Sequence, residues 1–340
     1  MERIFDDSNK GVAKLKEKRR IVFRANGYKE LGMGHVYNCI TMANAMKEHD
    51  IAFVTEKRYT QGAEKFVSSG IRTYCISNEN EIEDIINDFK PQIWVNDCLD
   101  TTMEYMKWLK ERVKRVVTME DLGSGSELAD EIINAVYERD YRPYVHSGWR
   151  FACLRDEFQN KTAREFRRDV KRVIIMFGGT DPSNYNGLLY DAIKQIAERY
   201  KSITFDFITG IGYDHEKNGI VSIPELNIEI HSDVKHVTDY MEDADIAFTS
   251  QGRTVFELAA MGVPSIVLAQ NEREQTHTFA QMDHGFLNLG RDEITPEVVG
   301  NTLDWLINTP AIRKNMYDLM VCLPIREGLS RVKKIILGEM

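Results

Sequence analysis

The sequence has no excess of basic residues. Its 44 lysines and arginines stand against 53 aspartates and glutamates, for a formal net charge of −9. Gripping a nucleic acid or an anionic membrane takes a basic face, so neither is expected as a partner. A nucleotide remains compatible, because backbone N–H groups and a few local cations suffice to bind one. Cysteine is sparse. Cys39, Cys75, Cys98, Cys153 and Cys322 are odd in number and none is closely paired, which points to reduced thiols and a cytoplasmic location. No Cys/His spacing of the metal-binding kind occurs, and no Asp-x-Asp pair is placed to hold a metal on phosphates, so no metal and no cofactor are expected. No uninterrupted apolar stretch is long enough to span a bilayer. The opening Met1-Glu2-Arg3-Ile4-Phe5-Asp6-Asp7 lacks an apolar signal core, and residues 1–19 read as a polar N-terminal extension.

What is present is an ordinary globular composition, 43% hydrophobic and 29% charged, over 340 residues. That length suits about two domains. The chain then alternates. Arg20-Ile21-Val22-Phe23-Arg24 is a β-branched run that reads as a strand, and Val36, Ile40, Ala43 and Ala45-Met46 recur at helical spacing. Strands are expected at 51–55, 72–76, 92–97, 115–119 and 131–135, with helices at 61–69, 81–89 and 102–113. A polar stretch at 157–170 reads as the connection between domains. A second series follows, with strands at 171–177, 203–208, 227–231, 244–248 and 265–268, and helices at 190–200 and 234–241. Two or three helices close the chain, the last at about 325–337, placed to cross back onto the first domain. Strand–helix alternation implies right-handed crossovers and parallel sheets. The fold class is α/β: a first domain over 20–157, a second over 170–324, both doubly wound and facing across a cleft.

In such sheets ligands bind beyond the carboxyl ends of the strands. That edge of the first domain gathers Gly32-Met33-Gly34-His35, Asn96-Asp97, Glu120-Asp121 and Asn134. Gly32 and Gly34 let a ligand approach the backbone, the first turn of the helix attracts anions, and His35 sits beside whatever is held there. The second domain repeats the device twice, at Gly178-Gly179-Thr180-Asp181-Pro182 and at Gly252-Arg253-Thr254.

These pieces come in a specific order. Arg24-Ala25-Asn26, Gly32-Met33-Gly34-His35, Glu120-Asp121-Leu122, 129–134 (Ala-Asp-Glu-Ile-Ile-Asn) and Leu154-Arg155-Asp156-Glu157-Phe158 are followed by Phe177-Gly178-Gly179-Thr180-Asp181-Pro182, 252–257 (Gly-Arg-Thr-Val-Phe-Glu) and 259–264 (Ala-Ala-Met-Gly-Val-Pro). Together, over roughly residues 20 to 330, the chain resembles the UDP-sugar hydrolases of pseudaminic acid biosynthesis and the related spore-coat polysaccharide proteins. Both are relatives of the GT-B glycosyltransferases. The resemblance implies two Rossmann-like domains, a UDP-sugar in the cleft and no metal. It makes His35 the catalytic residue and Glu257 the ligand of the nucleotide ribose, since a carboxylate can accept from both hydroxyls of a diol. Gly252, Arg253 and Thr254, with Gly178, Gly179 and Thr180, would meet the pyrophosphate, and backbone near Val234 the uracil. Gly32, Gly34, Asn26, Asn96, Asp97 and Asn134 are expected on the sugar side. Enzymes of the nonulosonic acid pathway are the implied partners.

Two positions depart from the family pattern. Asn26 stands where the family usually has aspartate, and Asn38 where it tends to have arginine. An amide can orient a hydroxyl but carries no charge at neutral pH. The leading reading is a metal-independent hydrolase that releases UDP and a free amino or deoxy sugar for nonulosonic acid or surface polysaccharide synthesis. A glycosyltransferase using the same donor, or a non-catalytic nucleotide-sugar-binding protein, remains open, because fold alone does not choose among them.

Overall fold

The computed structural model describes residues 17–28, 32–137, 140–210, 212–232 and 234–339. Most of the expected N-terminal extension, and Leu31, lie outside the described residues. The strands form two sheets. The first contains β1 (Arg20–Ala25), β2 (Asp50–Glu56), β3 (Arg72–Ile76), β4 (Ile93–Asp97), β5 (Arg115–Met119), β6 (Glu131–Asn134) and β7 (Val145–Ser147), in the order β3-β2-β1-β4-β5-β6-β7. The second contains β8 (Arg172–Met176), β9 (Thr204–Thr209), β10 (Ile228–Ser232), β11 (Ile246–Ser250), β12 (Ser265–Leu268) and β13 (Phe286–Asn288), in the order β10-β9-β8-β11-β12-β13. Every pairing between these strands is parallel.

Period-two alternation places the core. In β1, Ile21, Phe23 and Ala25 face one layer, which holds Val36 and Met42 of the helix Gly34–Ala45, while Val22 faces the other, with Ile85, Met106 and Leu109. The central strands of both sheets are buried on both faces, so their sequences are near-continuous apolar runs. Each buried Phe, Ile or Val contributes about 1.5–3 kcal/mol, and this burial rather than surface pairing holds the layers. The last helix, Gly328–Leu337, packs Leu329, Val332 and Ile336 into the layer of Phe23 and Val36. Ala135, Val136, Leu154 and Phe158 share a cluster with Val255, Phe256 and Phe279, so apolar packing joins the two halves directly.

Four elements differ from the sequence reading. The helix expected at 190–200 spans Tyr185–Ile196. Its early start is set by polar caps, since Asp181 accepts from the backbone of Tyr185 and Asn186 at 3.0 and 2.8 Å and Asn184 from Gly187. The helix expected at 234–241 spans Val237–Asp243. The edge strands β7 and β13, three residues each, were not foreseen, because so short a run shows no periodicity.

Candidate functional site

Strand order reverses once in each sheet, between β1 and β4 in the first and between β8 and β11 in the second. Such switch points open a crevice at the carboxyl ends of the strands. Here the two crevices face each other across one cleft of about 650 Å³, lined from both halves. Gly32, Gly34, His35, Gly178, Gly179, Thr180, Val234, Gly252, Arg253, Thr254 and Glu257 all line it.

On the first-domain side, β1 leads into a turn in which Gly32 takes φ +79°, a left-handed conformation that glycine adopts freely. The helix Gly34–Ala45 then begins, and His35 in its first turn is buried. Its Nδ1 lies 2.5 Å from Oδ1 of Asp97, the last residue of β4. Asp97 is wholly buried and also accepts from Asn38 Nδ2 at 2.7 Å, with Arg253 Nη2 at 3.3 Å. Burial alone would push this carboxyl up. The Arg253 guanidinium and the His35 ring, with the Asn38 amide, outweigh it and hold the group below its ordinary value. A carboxylate only accepts, so the proton of a neutral His35 ring sits on Nδ1 and Nε2 carries the free lone pair. Asn38 therefore acts on the carboxylate behind His35.

On the second-domain side, Gly178 turns at φ +76° after β8. Gly179 and Gly210 come so close that a Cβ on Gly210 would lie 2.4 Å from the Gly179 Cα, so the floor of the cleft is bare backbone. β11 leads through Gly252 and Arg253 into the helix Thr254–Met261. The Arg253 side chain leaves its own turn. It crosses to the first domain, where Nη2 lies 2.9 Å from Glu120 Oε2 and 3.4 Å from His35 Nδ1. Glu120 is held at φ +54°, unusual for a residue with a side chain. Glu257 is clamped by Arg155, with Nε on Oε1 at 2.6 Å and Nη2 on Oε2 at 3.0 Å.

Four residues expected on the sugar side do not line the cleft. Asp97 stands directly behind His35. Asn26 is turned toward β2, donating to Glu56 Oε1 at 3.0 Å and accepting from Thr55 Oγ1. Asn96 accepts from Trp94 Nε1 at 2.9 Å and Tyr105 at 3.0 Å, on the sheet face opposite Asp97. Asn134 is buried at the end of β6, where its backbone carbonyl accepts from Gly148. The structure does not bring these three to the cleft: the amides of Asn26 and Asn96 are hydrogen-bonded within the scaffold around the strand ends, and Asn134 is buried there. Asp121, likewise gathered at that edge, binds Thr101 and Gly123 and shapes a loop. The cleft in turn contains groups not singled out from the sequence: Arg155, Arg273 and Glu274. Arg273 bridges the halves, donating to Asp100, to Tyr137 and to the Glu120 carbonyl. Burial pushes Glu274 up to about 7, against the pull of the Gln270 and Gln251 N–H groups. Arg155 alone had a signal in the sequence, in the ordered piece Leu154–Phe158.

One group of three side chains with metal-binding chemistry, Asp206, Glu229 and His231, is found among the described residues. None of them lines the cleft, and Arg172 Nε lies 3.4 Å from Asp206 Oδ2, where a cation would bind. No helix among the described residues is long and apolar enough to cross a membrane.

No family model matches the chain. The chain is 26% identical over 278 residues to the protein MJ1062 of Methanocaldococcus jannaschii, covering 75% of this chain and little over half (57%) of that protein. It is 27% identical over 298 residues to the spore coat polysaccharide biosynthesis protein SpsG of Bacillus subtilis, covering 81% of this chain and 85% of that one. Among solved structures it is similar to MurG of Acinetobacter baumannii, with a TM-score of 0.63 at 13% identity over 94% of this chain and 99% of that one. It is also similar to HepE of Anabaena in complex with UDP-glucose, with a TM-score of 0.61 at 11% identity over 94% and 98%. The fold is GT-B, two parallel α/β domains about a cleft.

Proposed function

We propose that this protein is a UDP-sugar hydrolase of surface polysaccharide or nonulosonic acid synthesis. The observation that carries the reading is the His35–Asp97 pair, at 2.5 Å, opposite the bare-backbone turns of the second domain. His35 Nε2 takes a proton from water as it attacks the anomeric carbon. The Asp97 carboxylate holds the ring and stabilises the imidazolium that forms. The bond from the anomeric carbon to the phosphate oxygen breaks, and UDP leaves. N–H groups of the turn at Gly178–Thr180 and of the first turn of the helix Thr254–Met261 stabilise its charge. Glu257 accepts from the ribose hydroxyls.

A second reading, a glycosyltransferase, has its own support. Tyr28 lines the His35 side of the cleft and stacks on Tyr59 at 4.2 Å, an aromatic wall suited to a sugar acceptor. A hydroxyl would then replace water at His35. The test is incubation with a panel of UDP-sugars, with and without acceptor sugars, following UDP release in wild type and His35→Asn. The variant is expected to bind UDP and to lose about a hundredfold to ten-thousandfold in turnover. A folded variant turning over at the wild-type rate would remove His35 from the chemistry. Release that needs an acceptor would replace the hydrolase by the transferase.

A further inference from the structure

We infer that Arg155 is the positioning residue for ribose recognition, holding the Glu257 carboxylate in one orientation toward the ribose hydroxyls; the inference rests on the nucleotide reading above. Arg155 belongs to the segment joining the two halves, just before the short helix Asp156–Gln159. Its guanidinium meets Glu257 edge-on, one N–H to each oxygen, at 2.6 and 3.0 Å. The third nitrogen, Nη1, lies 2.9 Å from Glu157 Oε1. The group lies over two rings, Phe158 at 5.2 Å and Tyr37 at 5.7 Å. Every donor nitrogen thus has a carboxylate, and the plane of the fork is fixed.

The clamp leaves the carboxylate usable. Two carboxylate oxygens offer about four acceptor positions, and the fork takes one on each. Each oxygen keeps one acceptor position, and Glu257 lines the cleft with its side chain 11% exposed, so the clamped carboxylate can still accept from a ribose hydroxyl. Without the fork the carboxylate loses both its rotamer and its counter-charge in a half-closed wall. Lysine would supply charge without the fork.

The same segment reaches the other expected nucleotide contact. Glu157 Oε2 accepts from Thr238 Oγ1 at 3.0 Å, at the start of the helix Val237–Asp243, and Val234, ahead of that helix, and Val237, its first residue, line the cleft. Tyr37, under Arg155, is on the helix that carries His35. Residues 155–157 therefore tie the ribose carboxylate, the loop at Val234 and the His35 helix to one another.

The test is calorimetric binding of UDP and of 2′-deoxy-UDP to wild type, Arg155→Ala, Arg155→Lys, Glu257→Gln and the Arg155→Ala/Glu257→Gln double variant. Wild type should prefer UDP. Arg155→Ala should lose roughly tenfold or more of that preference, almost all of it on the UDP side, and Arg155→Lys should fall between. The double variant should match Glu257→Gln, because Arg155 acts through that carboxylate. A merely structural role would weaken both ligands equally and leave their ratio unchanged. An unchanged ratio, or tighter UDP binding in Arg155→Ala, overturns the inference while leaving the nucleotide reading intact. If Arg155→Ala does not fold, the ratio measured with Arg155→Lys decides. A wild type that binds no UDP overturns the nucleotide reading and this inference with it.

Discussion

Asp97→Asn separates orientation of His35 from every other function of the cleft. The carboxylate accepts from His35, Asn38 and Arg253 and donates nothing. An amide of the same shape keeps one acceptor and places an NH2 group where a second acceptor stood. If the new oxygen faces Asn38, the NH2 faces His35 Nδ1, and the ring can meet it only as an acceptor. Its proton then moves to Nε2, the atom that has to take a proton from the nucleophile. Charge is lost as well, so the imidazolium that forms during turnover is no longer stabilised. General-base catalysis is worth about a hundredfold to ten-thousandfold, or roughly 2.7 to 5.5 kcal/mol of barrier, and Asp97→Asn should cost within that range. Arg253 keeps Glu120 at 2.9 Å, so the loss of stability should stay below the roughly 3–5 kcal/mol of a fully stranded buried charge. Asp97 does not line the cleft, and UDP affinity should hold. The assay is UDP release across a UDP-sugar panel, with calorimetric UDP binding and thermal denaturation as controls. Nitrogen chemical shifts of the His35 ring should report the change of tautomer. Turnover near the wild-type rate in a folded, UDP-binding Asp97→Asn protein would refute the reasoning.

Further outcomes are expected. Glu257→Ala should weaken UDP binding by about 1.5–3 kcal/mol, the worth of a hydrogen bond to a charged group; unchanged affinity in titration calorimetry would take Glu257 out of the site. Activity should persist in excess chelator, because on the proposed reading fixed backbone dipoles take over the charge neutralisation. The Asp243-Ala244-Asp245 pair lies at the far end of β11, with Asp245 held by Arg164 and Arg167. Loss of activity that magnesium or manganese restores would contradict this. Glu274 holds its proton up to about 7 when folded, against 4.5 ordinarily. Between those values the folded state binds the extra proton, so this group's stabilisation is present at low pH and is lost as pH rises to 7. Glu274→Gln should flatten that part of the pH dependence of melting temperature between pH 5 and 8. Identical pH dependence in both proteins would exclude Glu274 as a source.

The sequence by itself determined the layers and the edge at which the site forms. Apolar runs such as Val173-Ile174-Ile175-Met176 alternate with helical spacing, and local chemistry suffices to make them parallel strands between helices. The glycine turns that follow β1, β8 and β11 were legible for the same local reason, and with them His35, Gly178 and Arg253. Tertiary structure decided which side chains meet. Asp97 reaches His35 from 62 residues away, and Arg155 reaches Glu257 from 102. No periodicity records such pairings. Asn96 and Asp97 are neighbours at one strand end and looked equivalent. Strand alternation sends Asn96 to the face of Trp94 and Tyr105, and Asp97 to the face covered by the helix Gly34–Ala45. Which face that helix covers depends on the handedness of the β1–β2 crossover and the packing of the whole layer. So the composition of the strand end was written in the chain, and its division into a scaffold amide and a carboxylate behind His35 was made only by the fold.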